Sequence, residues 1–224
     1  MTSDEVLAAL REAADPSRLP GMARVGIRID DALGVPVPAI RRIAKRAGTD
    51  HALAVALWET GIHEARQVAA LVAEPAAFRA RAMSAWAGEL DSWDITDLLA
   101  DTFAASPLAR RMIVTWSRAT HGFTKRCAFA MIAHLAVAHR DEPDATFSTF
   151  FPLIRSASTD ARNEVKKAVN WALRQIGKRN RALHQEAIDE AEALLTLGDP
   201  TARWIARDAL RELRAPATVA RITR

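Results

Sequence analysis

The stretch Thr159–Ile176 reads TDARNEVKKAVNWALRQI, and its pattern decides the fold class. Val165, Ala168, Val169, Ala172, Leu173 and Ile176 recur at i, i+3, i+4, i+7, i+8 and i+11, which lines up one face of an α-helix. Gly177 follows where a C-cap glycine is expected. Trp171 falls opposite the apolar stripe, with Lys167 and Arg174 beside it and Lys178 just past the expected cap. An indole on an outward, cationic face is costly unless it touches something. A nucleic-acid surface uses such a pairing, with the ring on a sugar or base and the cations on phosphates. The competing reading is that Trp171 packs on a neighbouring helix.

The same periodicity runs outward along the chain. It predicts helices over Asp4–Ala14, Val37–Ala47, Ala52–Glu59, His63–Val72, Ala76–Ala87, Trp93–Ala105, Leu108–Thr120, Phe123–His139, Asp144–Arg155, Arg181–Leu197 and Thr201–Leu213, with a short one over Pro20–Ile29. Pro38 near a first turn, Ser106-Pro107 and Gly198-Asp199-Pro200 punctuate these segments. Tyrosine is absent, and no run of alternating β-branched residues reads as a strand. The expected class is therefore all-α. Helix pairs recur at about 35 to 40 residues, the range of HEAT-type repeats, and stacked pairs make an α-α solenoid superhelix with one concave face. One repeat domain over residues 1–224 is expected, with a closed helical bundle as the structural competitor.

Charge is unevenly spread. The chain has 31 Lys and Arg against 27 Asp and Glu, but between Ala109 and Arg181 there are 14 against 5. A basic half suggests a polyanionic partner, nucleic acid first, and a basic concave face to receive it. No apolar run approaches membrane-spanning length, and the acidic, amphipathic start MTSDEVLAALREAAD does not read as a signal peptide. A cytoplasmic protein that stays with its DNA is the expectation. The single cysteine, Cys127, excludes an internal disulfide and reads as a small buried hydrophobe. The six histidines show no metal-ligand spacing, and no Gly-rich phosphate loop is present, so neither metal nor nucleotide is expected.

Two more helices carry polar residues against their core stripes. In Trp93–Ala105 the stripe is Ile95, Leu98, Leu99, Thr102 and Phe103, while Trp93 and Asp97 share the opposite face one turn apart. Asp91 and Asp94 suit the positive end of the helix dipole, but Asp97 lies past the first turn. A carboxylate repels DNA, so its presence beside an aromatic calls for a reason. In Phe123–His139, Arg126 lies opposite Ala128, Met131, Ile132 and Leu135, with Lys125 adjacent. Arg126 is placed to clamp a phosphate or to pair with Asp97; a plain surface arginine is the alternative.

Gly21-Met22-Ala23-Arg24, Gly34-Val35-Pro36-Val37-Pro38 with Arg41-Arg42, Ser92-Trp93-Asp94-Ile95-Thr96-Asp97, Lys125-Arg126 and Lys167-Ala168-Val169-Asn170-Trp171-Ala172-Leu173-Arg174 follow one another in order. In these words the chain resembles the AlkD-type family of HEAT-like repeat alkylpurine DNA glycosylases. The resemblance implies a monofunctional enzyme that hydrolyses the N-glycosidic bond of cationic N3- and N7-alkylated purines in double-stranded DNA, without cofactor or metal, and it is read here as acting as a monomer. It implies Asp97 as the catalytic carboxylate and Trp93 and Trp171 as the aromatics that cradle the lesion's sugar-phosphate. Arg126 and Arg174, with Lys125, Lys167 and Lys178, would hold the backbone. Two departures stand out: Val25 replaces a tyrosine common after Met-Ala-Arg, and Ser92 stands where the family often has an aromatic. A non-catalytic helical-repeat scaffold that binds DNA or protein is the alternative.

Overall fold

A computed structural model describes residues 1–222. Every regular element among them is helical. By backbone proximity the chain divides into two compact units, Met1–Leu108 and Ala109–Arg224.

The first unit contains α1 (Ser3–Glu12), α2 (Leu19–Arg24), α3 (Val37–Ala47), α4 (His51–Glu59), α5 (His63–Val72), α6 (Ala80–Gly88) and α7 (Trp93–Ala104). Helix α5 is central and packs against α1, α3, α4 and α7. It is therefore buried almost all round, polar residues included: His63, Glu64 and Gln67 are no more than 5% exposed. Beside it, Trp58 of α4 stacks on Trp86 of α6 with ring centroids 4.2 Å apart, and Phe78 meets Trp86 and Phe103 edge-on. The edge-on contacts are a favoured geometry for buried rings.

The Gly34-Val35-Pro36 turn ahead of α3 is fixed from α5. The buried Glu64 carboxylate accepts hydrogen bonds from the amides of Leu33, Gly34 and Val35, at 2.8, 2.7 and 3.2 Å. Gly34 has φ +80°, and a Cβ there would run into the carbonyl of Asp15, so only glycine fits.

The second unit contains α8 (Ala109–Trp116), α9 (Gly122–Ala138), α10 (Asp144–Ser148), α11 (Phe151–Ala157), α12 (Asn163–Ile176), α13 (Arg181–Leu195), α14 (Pro200–Leu213) and α15 (Pro216–Ile222). Helix α12 is its hub and touches α9, α11, α13 and α14. The stripe from Val165 to Ile176 is buried as its spacing predicts.

Several boundaries differ from the sequence reading, each for a local reason. The segment starting at Thr159 becomes helical only at Asn163, because Asp160 and Arg162 close a tight side-chain loop in front of it. The predicted Asp144–Arg155 helix is broken into α10 and α11 near Phe150, a residue buried in the core. Pro75–Ala77 is a separate 3-10 turn before α6, and α15 was not foreseen. Gly177 does follow α12, but at φ −66°; its missing side chain lets Ala187 and Leu213 close in instead.

Candidate nucleic-acid interface

In the first unit, Trp93 opens α7 and is 38% exposed, and Asp97 is half-buried one turn further on the same face. The two residues stand together on α7 as the wheel predicts. What holds this helix start was not visible in the sequence. The Trp93 indole N–H donates to the carbonyl of Val25, at 3.1 Å, which ties the loop after α2 to the ring edge. Ser92 is fully buried and its Oγ accepts from the amide of Arg28 at 3.0 Å. The Arg28 guanidinium reaches both Asp30 and Asp91.

Asp94 faces inward. Its Oδ2 pairs with His63 Nε2 at 2.9 Å and accepts from Gln67 Nε2 at 2.7 Å. A dipole-favouring surface role, expected for Asp94, is thus only part of its function; it is the peg that seats the first turn of α7 on α5. Burial works against a charge on His63. The hydrogen bond and charge of Asp94, helped by Glu64 and Asp91, outweigh it and raise the imidazole pKa. The signal that could have found this pair is the 31-residue spacing between His63 and Asp94, which repeats between Trp58 of α4 and Glu89 just past α6.

In the second unit the expected cations stand in mixed surroundings. Arg126 was read onto an outward face of its helix, but it is only 7% exposed, and its Nη1 donates to the carbonyl of Glu164 at 3.0 Å. The reason is packing: α12 lies along α9, and residues from Arg126 through Ala133 are all buried. Lys125 Nζ sits 3.0 Å from Asp160, a carboxylate that Arg162 also grips. The Arg162 hydrogen bond first, and Lys125 next among the favourable partners, hold Asp160 well below the usual carboxylate range despite partial burial.

Along α12, Lys167 is exposed. Trp171 is half-buried, its ring edge-on to His134 at 5.1 Å. It is thus partly covered by α9 and partly open to solvent. Arg174 and Lys178 converge on Glu212, Lys178 at 2.6 Å, and Asn170 donates to Asp208 at 2.6 Å. These partners come from α14, which runs parallel to α12 and presents Asp208 and Glu212 each 38 residues beyond its partner on α12. Much of the charge read as an outward cationic face is therefore met by the next repeat.

Among the described residues no three His, Cys, Asp or Glu side chains gather where a metal ion could be held. No described helix is long and apolar enough to cross a membrane.

The chain shares its fold with a protein described as belonging to a new family of proteins related to the HEAT-like repeat DNA glycosylases with affinity for branched DNA structures. The two are 17% identical, the match covers 95% of each chain, and the TM-score is 0.77. A designed armadillo repeat protein, 15% identical, matches 88% of this chain and 100% of its own with a TM-score of 0.36. No curated protein matches the sequence. A family model described as DNA alkylation repair enzyme matches residues 6–213, which includes both helix starts discussed above. With nearly its whole length matched and a HEAT-like helical repeat fold, the chain belongs to the DNA alkylation repair enzyme family.

Proposed function

We propose that the protein is an alkylpurine DNA glycosylase that hydrolyses the N-glycosidic bond of cationic N3- and N7-alkylated purines in double-stranded DNA. One observation carries the reading: in a chain of this family, α7 presents an exposed Trp93 and a half-buried Asp97 one turn apart, while the neighbouring Asp94 is spent on the interior.

An alkylated purine of this kind is positively charged and leaves readily without a general acid. As the bond from C1′ to the base breaks, its electron pair neutralises the base, and positive charge develops on the deoxyribose. A fixed carboxylate stabilises that charge and positions the water that adds to C1′, as the carboxylates of glycosidases do. Asp97 takes this role. The electron-rich face of Trp93 would contribute about 0.5–2 kcal/mol toward a cationic sugar. Of the cations, exposed Lys167 supports phosphate contact most directly. Phosphate would compete with Glu212 for Arg174 and Lys178, and with Asp160 for Lys125. Arg126, bonded to the Glu164 carbonyl, enters as a positioning residue.

The test is release of 7-methylguanine from methylated duplex DNA. Asp97→Asn should lower the rate by a factor on the order of 10² to 10³ while duplex binding persists. Release at the wild-type rate would refute the assignment. A second reading, DNA binding without excision, is favoured by the branched-DNA affinity described for the similarly folded protein and by the Val25 and Ser92 departures. Wild-type protein that binds a four-way junction but releases no base would establish it.

A further inference from the structure

The ladder between α12 and α14 has a rung that breaks its rule. From the C-terminal end, Arg174 meets Glu212 and Asn170 meets Asp208. One turn earlier, at the same 38-residue spacing, Lys166 meets Trp204 where an acid would complete the series. The ammonium lies 5.1 Å from the indole centroid, and the indole is 41% exposed. The Lys166 charge is thus faced by a ring in place of a carboxylate.

The flanking residues do not neutralise it. Arg203 and Arg207, i and i+4 on α14, are exposed and form no ion pair among the described residues. Arg211, one turn further, is paired with Asp208. Trp204 walls a shallow cleft of about 230 Å³ together with Pro200, Arg203, Arg207, Asp208 and Arg211. The core stripe of α14, from Ala202 to Leu213, faces away and needs none of these side chains. An exposed indole among unpaired cations has little value for stability, because it leaves apolar area wet and like charges close together.

We infer that Lys166, Arg203, Trp204 and Arg207 form a stacking platform for an unpaired nucleotide, with the indole under a base and the cations on the flanking phosphates. The occupant follows from the chemistry. A duplex hides its base faces, so phosphate binding alone would need the cations and not the ring. A free base offers the π-face that an exposed indole matches, whatever the sequence. The inference rests on the reading that the protein handles DNA, but not on excision by Asp97.

The experiment measures binding of a labelled oligothymidine and of a duplex of equal length by fluorescence anisotropy. Trp204→Ala should weaken oligothymidine binding about tenfold, the effect of losing one stacked base, and Trp204→Phe should stay within about threefold of wild type. The duplex affinity of Trp204→Ala should change by less than about twofold, since no base face is offered. Arg203→Ala combined with Arg207→Ala should lower the salt slope for the oligothymidine by about 1.4, two phosphates' worth. Wild-type protein that does not bind oligothymidine overturns the platform. So does Trp204→Ala with wild-type affinity, or an equal loss toward oligothymidine and duplex. Release of 7-methylguanine is followed in parallel; its absence in the wild type would sink the excision reading and leave the platform standing.

Discussion

Replacing Asp94 by asparagine tests how the start of α7 is held. Asp94 Oδ2 serves His63 and Gln67, which are each 5% exposed, and its Oδ1 is buried with no protein hydrogen bond. Asparagine keeps an acceptor at the Oδ2 position but loses the charge. A hydrogen bond to a charged group contributes about 1.5–3 kcal/mol and a neutral one about 1, so two weakened bonds cost roughly 1–3 kcal/mol. The new amide N–H₂ would lie where Oδ1 lies and be left without a partner, adding about 1 kcal/mol. The loss should depend on pH. The folded-state pKa of His63 is raised, so the stability drawn from its charged form is fully present below the unfolded value of about 6.5 and is lost as pH rises through the folded value. Urea unfolding of both proteins should therefore show a cost of Asp94→Asn that is greater by about 1 kcal/mol at about pH 6 than at about pH 8.5. The His63 resonance of the variant should titrate at lower pH than in the wild type. An equal cost at both pH values, or an unmoved His63 titration, would refute the ion pair as the anchor.

Glu64→Ala removes the acceptor from three backbone amides ahead of α3 and should destabilise the protein by roughly 3–5 kcal/mol in urea, with Glu64→Gln near half of that; a cost under about 1 kcal/mol for the alanine variant would show that water replaces the carboxylate freely. Asp160→Asn should cost about 1–3 kcal/mol at neutral pH, since the folded-state pKa of Asp160 is depressed and its contribution is present above the unfolded value of about 3.9. The difference between the two proteins should shrink as pH falls below about 4, and a difference constant down to about pH 2 would contradict the pairing with Arg162 and Lys125.

What the sequence made legible was local. A 3.6-residue period suffices to find α12 and to bury Val165 through Ile176, because one helix alone defines its apolar face. The same period set Trp93 and Asp97 on one side of α7. It could not say what approaches the other faces. Arg126 sits opposite its own stripe yet is buried, because α12 covers that side of α9. Arg174 and Lys178 read as an open cationic pair, yet Glu212 arrives from a helix 34 to 38 residues on. The polar residues inside α5 were missed for the same reason: His63, Glu64 and Gln67 look like ordinary surface residues until Asp94 and the Gly34 turn close over them.

The hydrogen bond from Trp93 to the Val25 carbonyl reaches beyond its role in tying down a loop. It spends the indole's one polar donor on main chain, so what Trp93 leaves open for any contact is the π-surface of its ring. Because the acceptor is a peptide oxygen, the 59%-exposed side chain at position 25 is released from any duty toward the ring. That position can change between valine and a larger aromatic while the same peptide oxygen still holds the Trp93 ring edge.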